Sequence, residues 1–167
     1  MPSALDFTAP LQYLRMKDAA ESIYTDRLAH LWMESACKSK ICQPKLSDYN
    51  SSAWDKHVVP FMEAASESMG TPELSSHYVI LLDNFLDMAK EECGVTDSTN
   101  FCQDPSQFKS LSTCLQSKGW LFILRNIPTF LPILMANSCS KQADYLTSPD
   151  LFDKAIPAFL QDYIESC

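Results

Sequence analysis

The chain has 167 residues, a length at which one domain buries roughly 70% of its unfolded surface. An apolar share of 46% with a charged share of 20% excludes wholesale disorder. The formal net charge of −8 repels phosphate backbones and anionic lipid, so nucleic acid is not expected as a partner.

Only three glycines occur, against a usual share of about 7%. Tight hairpins draw on glycine for positive φ, and no Asn-Gly or Asp-Gly pair is present. The composition therefore predicts an all-α fold. We expect a single helical domain over residues 1–167, a compact bundle of about five to seven helices. Disulfides should staple it and some helices should kink at proline.

Residues 1–7 have neither the charged region nor the apolar run of a signal peptide. With seven cysteines downstream, the expectation is a secreted chain whose signal peptide has been removed. A first helix is predicted over about 10–37, where Met16, Ala20, Tyr24, Leu28 and Leu31/Trp32 step by three and four. Residues 38–51 are polar, carry Pro44 and read as a loop. Within it, Asn50-Ser51-Ser52 forms a glycosylation acceptor, so Asn50 is the candidate of an expected glycoprotein.

A second helix is predicted over about 52–69, kinked or split by Pro60. The third spans about 72–93, with Val79, Leu82, Leu86, Ala89 and Cys93 on one face. Tyr78, Leu81, Phe85 and Met88 widen that face, as expected of a central helix. After a loop at 94–104, a short fourth helix is predicted over about 105–118, with Phe108, Leu111 and Leu115 inward.

Residues 120–135 are the most apolar part of the chain, read as one kinked buried helix or two short ones. Arg125, Asn126, Pro128 and Pro132 interrupt them, so no stable membrane span is expected. The last helix is predicted over about 149–165, with Phe152, Ile156, Leu160 and Ile164 on one face and a bend at Pro157.

Four prolines follow good N-cap residues, at Thr8-Ala9-Pro10, Thr71-Pro72, Asp104-Pro105 and Ser148-Pro149. Asp104 to Gln107 reads as a capping box. Gly94 and Gly119 each end an apolar-periodic run, where helix stops are expected. Ile127-Pro128-Thr129-Phe130-Leu131 echoes Ile156-Pro157-Ala158-Phe159-Leu160, and Val59-Pro60-Phe61-Met62 is a looser copy. An old helix duplication, a shared packing need or chance explains such an echo.

The cysteines are Cys37, Cys42, Cys93, Cys102, Cys114, Cys139 and Cys167, and no two form a C-x-x-C pair. Spread cysteines without a metal motif predict disulfides in an extracellular setting; reduced cysteines would instead place the chain in the cytoplasm. Cys37, Cys93, Cys114, Cys139 and Cys167 fall at or near C-terminal ends of predicted helices, and Cys42 and Cys102 in loops. The odd count leaves one thiol over. Cys167, at a chain terminus, is the candidate for a disulfide-linked homodimer.

Catalytic patterns are missing: there is no G-x-S-x-G, P-loop or G-x-G-x-x-G. His30 has Asp26 and Glu34 one turn to either side, a spacing that also suits a solvated charged face. His57 and His77 have no partner nearby in sequence, and the acids Asp83, Asp87, Glu91 and Glu92 read as a solvated helix face. No enzyme activity, cofactor or metal is expected. Trp120, Phe122, Phe130 and Met135 are candidates to line an apolar pocket, with ordinary core packing as the plain alternative.

The functional expectation is a secreted, acidic protein that binds another macromolecule, such as a receptor or ligand, through its helical surface. A carrier of a small apolar ligand or lipid is the alternative. A membrane-active protein using residues 120–135 is the weaker one.

Overall fold

The structure is a computed structural model; it describes residues 27–38, 54–135 and 139–166 together with Asp18, less the side chains of residues 139 and 140. Seven α-helices and no strand occur among the described residues, as an all-α fold requires. They are α1 Leu28–Ser35, α2 Val59–Ser68, α3 Ser75–Glu92, α4 Pro105–Arg125, α5 Ile127–Met135, α6 Cys139–Leu146 and α7 Ile156–Glu165.

The expected first helix enters the described region only near its end, where α1 passes into a 3₁₀ turn at Ala36–Lys38. Before α2 and α7 the chain makes π-helical turns, at Trp54–Val58 and Asp150–Ala155. The reason is the proline that follows each. Pro60 and Pro157 are the second residues of α2 and α7. Proline donates no bond and crowds the carbonyl four residues back, and a wider turn relieves that crowding. The kinks expected at these prolines thus take the form of a change from π to α winding.

Pro128 is likewise the second residue of α5. All three copies of the sequence echo are therefore helix beginnings, which is a sufficient physical cause for their similarity. Two of them meet: Phe61 and Phe159 pack edge to face at 5.2 Å.

The core gathers Met88 and Ala89 of α3, Val95 and Phe101 of the following loop, and Leu115 of α4. Trp32, Phe85, Phe108, Leu111 and Phe122 close around them. Two disulfides border this cluster. Cys37–Cys102 ties the turn after α1 to the 94–104 loop, and Cys93–Cys114 ties the end of α3 to α4. Phe152, Leu160 and Tyr163 are buried on the approach to α7 and in α7 itself. Arg27 anchors α1 there, its guanidinium 4.1 Å from the Phe152 ring and 3.6 Å from Asp153.

Three local expectations are corrected. First, α4 does not stop near 118 but runs through Gly119 to Arg125. The apolar period continues past the glycine, and packing Phe122 into the core outweighs glycine's cost of about 1 kcal/mol in a helix. The glycines at positive φ are instead Gly70 and Gly94. Second, Cys114 consequently lies within a helix, not at its end. Third, Thr71 makes no side-chain capping bond, whereas Asp104 does: its carboxylate accepts from the Ser106 amide at 3.1 Å. Ser148 also caps, accepting from the Leu151 amide at 3.3 Å.

Helix α6 had no sequence counterpart because it has few apolar residues. Gln142 and Ala143 are nevertheless buried, and Gln142 donates to the Tyr78 hydroxyl at 2.7 Å. A hydrogen bond from the buried amide nitrogen lowers the cost of packing such a helix.

Candidate functional site

The site is built on residues 120–135. In α4 the helical phase turns Phe122 inward, edge to face with Phe85 at 5.4 Å and with Phe130 at 5.9 Å. Trp120 and Leu124 then fall on the opposite side of the helix, and both are exposed, Trp120 by 62%.

The helix breaks at Asn126. Pro128 has no N–H to continue the ladder, so the backbone cannot run on as one helix and the turn is fixed by a side chain. Asn126 supplies that side chain. Its amide nitrogen and its Nδ2 both donate to the Phe122 carbonyl, at 3.1 and 2.8 Å. Its own carbonyl accepts from Thr129 and Phe130, each at 3.0 Å, and so begins α5. Its Oδ1 accepts from Asn84 Nδ2 of α3 at 2.7 Å. The junction is buried and tied to the central helix.

In α5, Ile133 points into the core while Ile127, Leu131, Leu134 and Met135 are exposed, Met135 by 79%. Those four sit at i, i+4, i+7 and i+8, one stripe of a helix. Thr129 is the helix's single polar residue. This segment was expected to be buried. Helix α5 packs on α3 and α4 and buries Ile133, and a helix that is apolar all round then leaves its uncovered residues outside.

Arg125 is the one charged residue in 120–135, and it turns away to Glu91 at 3.4 Å and Glu92 at 3.0 Å. Lys118 reaches Glu92 at 3.4 Å. The hydrogen bond from Arg125, then that from Lys118, holds the Glu92 carboxyl below its usual range. The outer face of the segment is left wholly uncharged.

The four residues read as pocket candidates divide between two faces. Phe122 and Phe130 are packed against each other, and Trp120 and Met135 lie outside. Of the disulfide candidates, Cys37, Cys93, Cys102 and Cys114 are bridged. Cys42, Cys167, the side chain of Cys139 and the glycosylation candidate Asn50 lie outside what is described. Leu124, Ile127, Leu131 and Leu134 were not singled out from sequence. The available signal was a nine-residue helix without a charge, too apolar to be solvated on any side.

Two other chemistry-bearing groups are engaged elsewhere. Glu34 pairs with Lys38 at 2.6 Å, and that hydrogen bond lowers its pKa. His57 Nε2 lies 3.1 Å from the Ser166 hydroxyl, a His–Ser contact of the kind a hydrolase uses. Ser166 already donates its proton to the Tyr163 carbonyl at 2.7 Å, so His57 is the donor to Ser166 and not its base. No group of three or more His, Cys, Asp or Glu is gathered as a metal site among the described residues. No helix among them is long and apolar enough to cross a membrane.

No family model, characterised protein or solved structure matches this chain.

Proposed function

We propose that the protein is a secreted, non-enzymatic binding protein that docks a macromolecular partner through the outer face of α4 and α5. One observation carries the reading: Trp120, Leu124, Ile127, Leu131, Leu134 and Met135 are all exposed within residues 120–135. Exposing that much apolar surface over one short segment is costly in water, and contiguous apolar patches mark interaction sites. The Asn126 junction holds the face in a set shape, so little order is lost on binding.

Two disulfides support secretion, because such bonds persist in oxidising compartments. A glycan on Asn50 and a free or dimer-forming thiol at Cys167 belong to the same reading.

The test pairs the wild type with a Leu131→Glu/Met135→Glu variant. Both positions are exposed, so the fold, followed by circular dichroism, should not change. Each protein is immobilised and exposed to extracellular fluid from its source. A partner held by the wild type and lost by the variant supports the proposal. A partner held equally by both overturns it.

A further inference from the structure

We infer that the partner presented to this face is a basic amphipathic helix. The inference rests on the docking face proposed above and names the chemistry of its occupant.

The reason is the charge beside the face. Helix α3 packs on both α4 and α5. It exposes Ile80, Asp83, Asp87 and Glu91. These fall at i, i+3, i+7 and i+11, so they form one stripe along the helix. The hydrogen bond between Asn84 and Asn126 marks where that helix meets the start of α5. Asp83 is the residue before Asn84, and Asp87 is the residue three after it. The acidic stripe therefore passes the junction from which the apolar face continues.

Among the described residues, the cations of this region are engaged in ion pairs. Arg125 is held by Glu91 and Glu92, Lys118 by Glu92, and Lys90 by Asp97 at 2.8 Å. Asp83 and Asp87 make no ion pair among the described residues. Lys90 also acts on Asp87 and Asp83 through space. The acids Asp83, Asp87, Glu91, Glu92 and Asp97 nevertheless outnumber Lys90, Lys118 and Arg125, so an occupant of the apolar face meets net negative charge along one border. A second copy would bring its own acids, on a chain whose formal net charge is −8. Anionic lipid would be repelled in the same way. A helix with leucines on one side and lysines along its edge satisfies both parts of the surface.

The test uses a synthetic leucine–lysine helical peptide of about five turns and a leucine–glutamate peptide of the same periodicity. Binding to the full chain is read by fluorescence anisotropy. The lysine peptide should bind and the glutamate peptide should not. Asp83→Lys/Asp87→Lys should weaken the lysine peptide at least about tenfold, the scale of one lost charge-assisted contact. Leu131→Glu/Met135→Glu should abolish binding of an apolar ligand, and circular dichroism should show both variants folded.

If both peptides bind alike and the α3 variant changes nothing, the basic-partner inference fails while the docking face stands. If Leu131→Glu/Met135→Glu leaves the lysine peptide bound, the docking face itself fails. Sedimentation with phosphatidylcholine vesicles, or sedimentation as a dimer, abolished in either case by Leu131→Glu/Met135→Glu, would replace the helix with a lipid surface or a second copy.

Discussion

Asn84 of α3 donates a 2.7 Å hydrogen bond to Oδ1 of Asn126, at the buried point where α4 ends and α5 begins. That bond, with the one Asn126 sends back to the Phe122 carbonyl, sets the direction of α5 and therefore the shape of the apolar face.

Asn126→Ala should destabilise the chain by about 1–3 kcal/mol, because it strands the side-chain amide of Asn84 and removes the second of the two bonds to the Phe122 carbonyl. Asn84→Ala should cost less, since Asn126 keeps its bond to Phe122. A double-mutant cycle by urea denaturation should return a coupling energy of at least about 0.5 kcal/mol. Strict additivity of the two single changes would contradict a shared bond.

The two disulfides should contribute unequally. Chain-entropy reasoning assigns about 4 kcal/mol to Cys37–Cys102, which closes a separation of 65 residues, and about 3 kcal/mol to Cys93–Cys114, with 21. Serine pairs at 37/102 and 93/114 should lower the urea midpoint in that order. Peptide mapping without reductant should recover both cross-linked fragments from the wild type, and other partners for these four cysteines would refute the pairing.

The glycines should respond with opposite sign. Gly119 lies within α4, and a methyl group there meets nothing within 4 Å. Gly119→Ala should stabilise by about 0.5–1 kcal/mol. Gly94 has φ +70, so Gly94→Ala should destabilise by about 1–2 kcal/mol although the space around it is open. Thermal unfolding of the two variants checks the pair, and a shift in the same direction for both would contradict the backbone argument.

Glu92 gives a pH dependence of known sign. Its folded pKa is lowered from 4.5 by Arg125 and Lys118. The folded state thus binds its proton less readily than the unfolded chain does. The resulting stabilisation is present above the unfolded value and is lost as pH falls through the lowered folded value. Chemical denaturation from neutral pH down into that acid range should show a shallower loss for Glu92→Gln than for the wild type. Identical slopes would mean that the contacts with Arg125 and Lys118 do not favour the charged form.

The amino-acid sequence by itself determined the helical class, through scarce glycine and through apolar steps of three and four that persist in α3 and α7. It also determined where α4 begins, at Asp104-Pro105, and that the winding changes at Pro60 and Pro157, because proline's missing donor and its crowding are local steric facts. Tertiary structure decided the rest. Whether α4 stopped at Gly119 depended on Phe122 finding Phe85, a contact between residues far apart in the chain. Which cysteines joined depended on how α3 and α4 lie together, since spacing alone leaves the pairings open. Periodicity showed that residues 120–135 are apolar on every side, but a helix carries no label for the side its neighbours will cover. Packing against α3 covered Phe122 and Ile133, and left Trp120, Leu131 and Met135 to face outward.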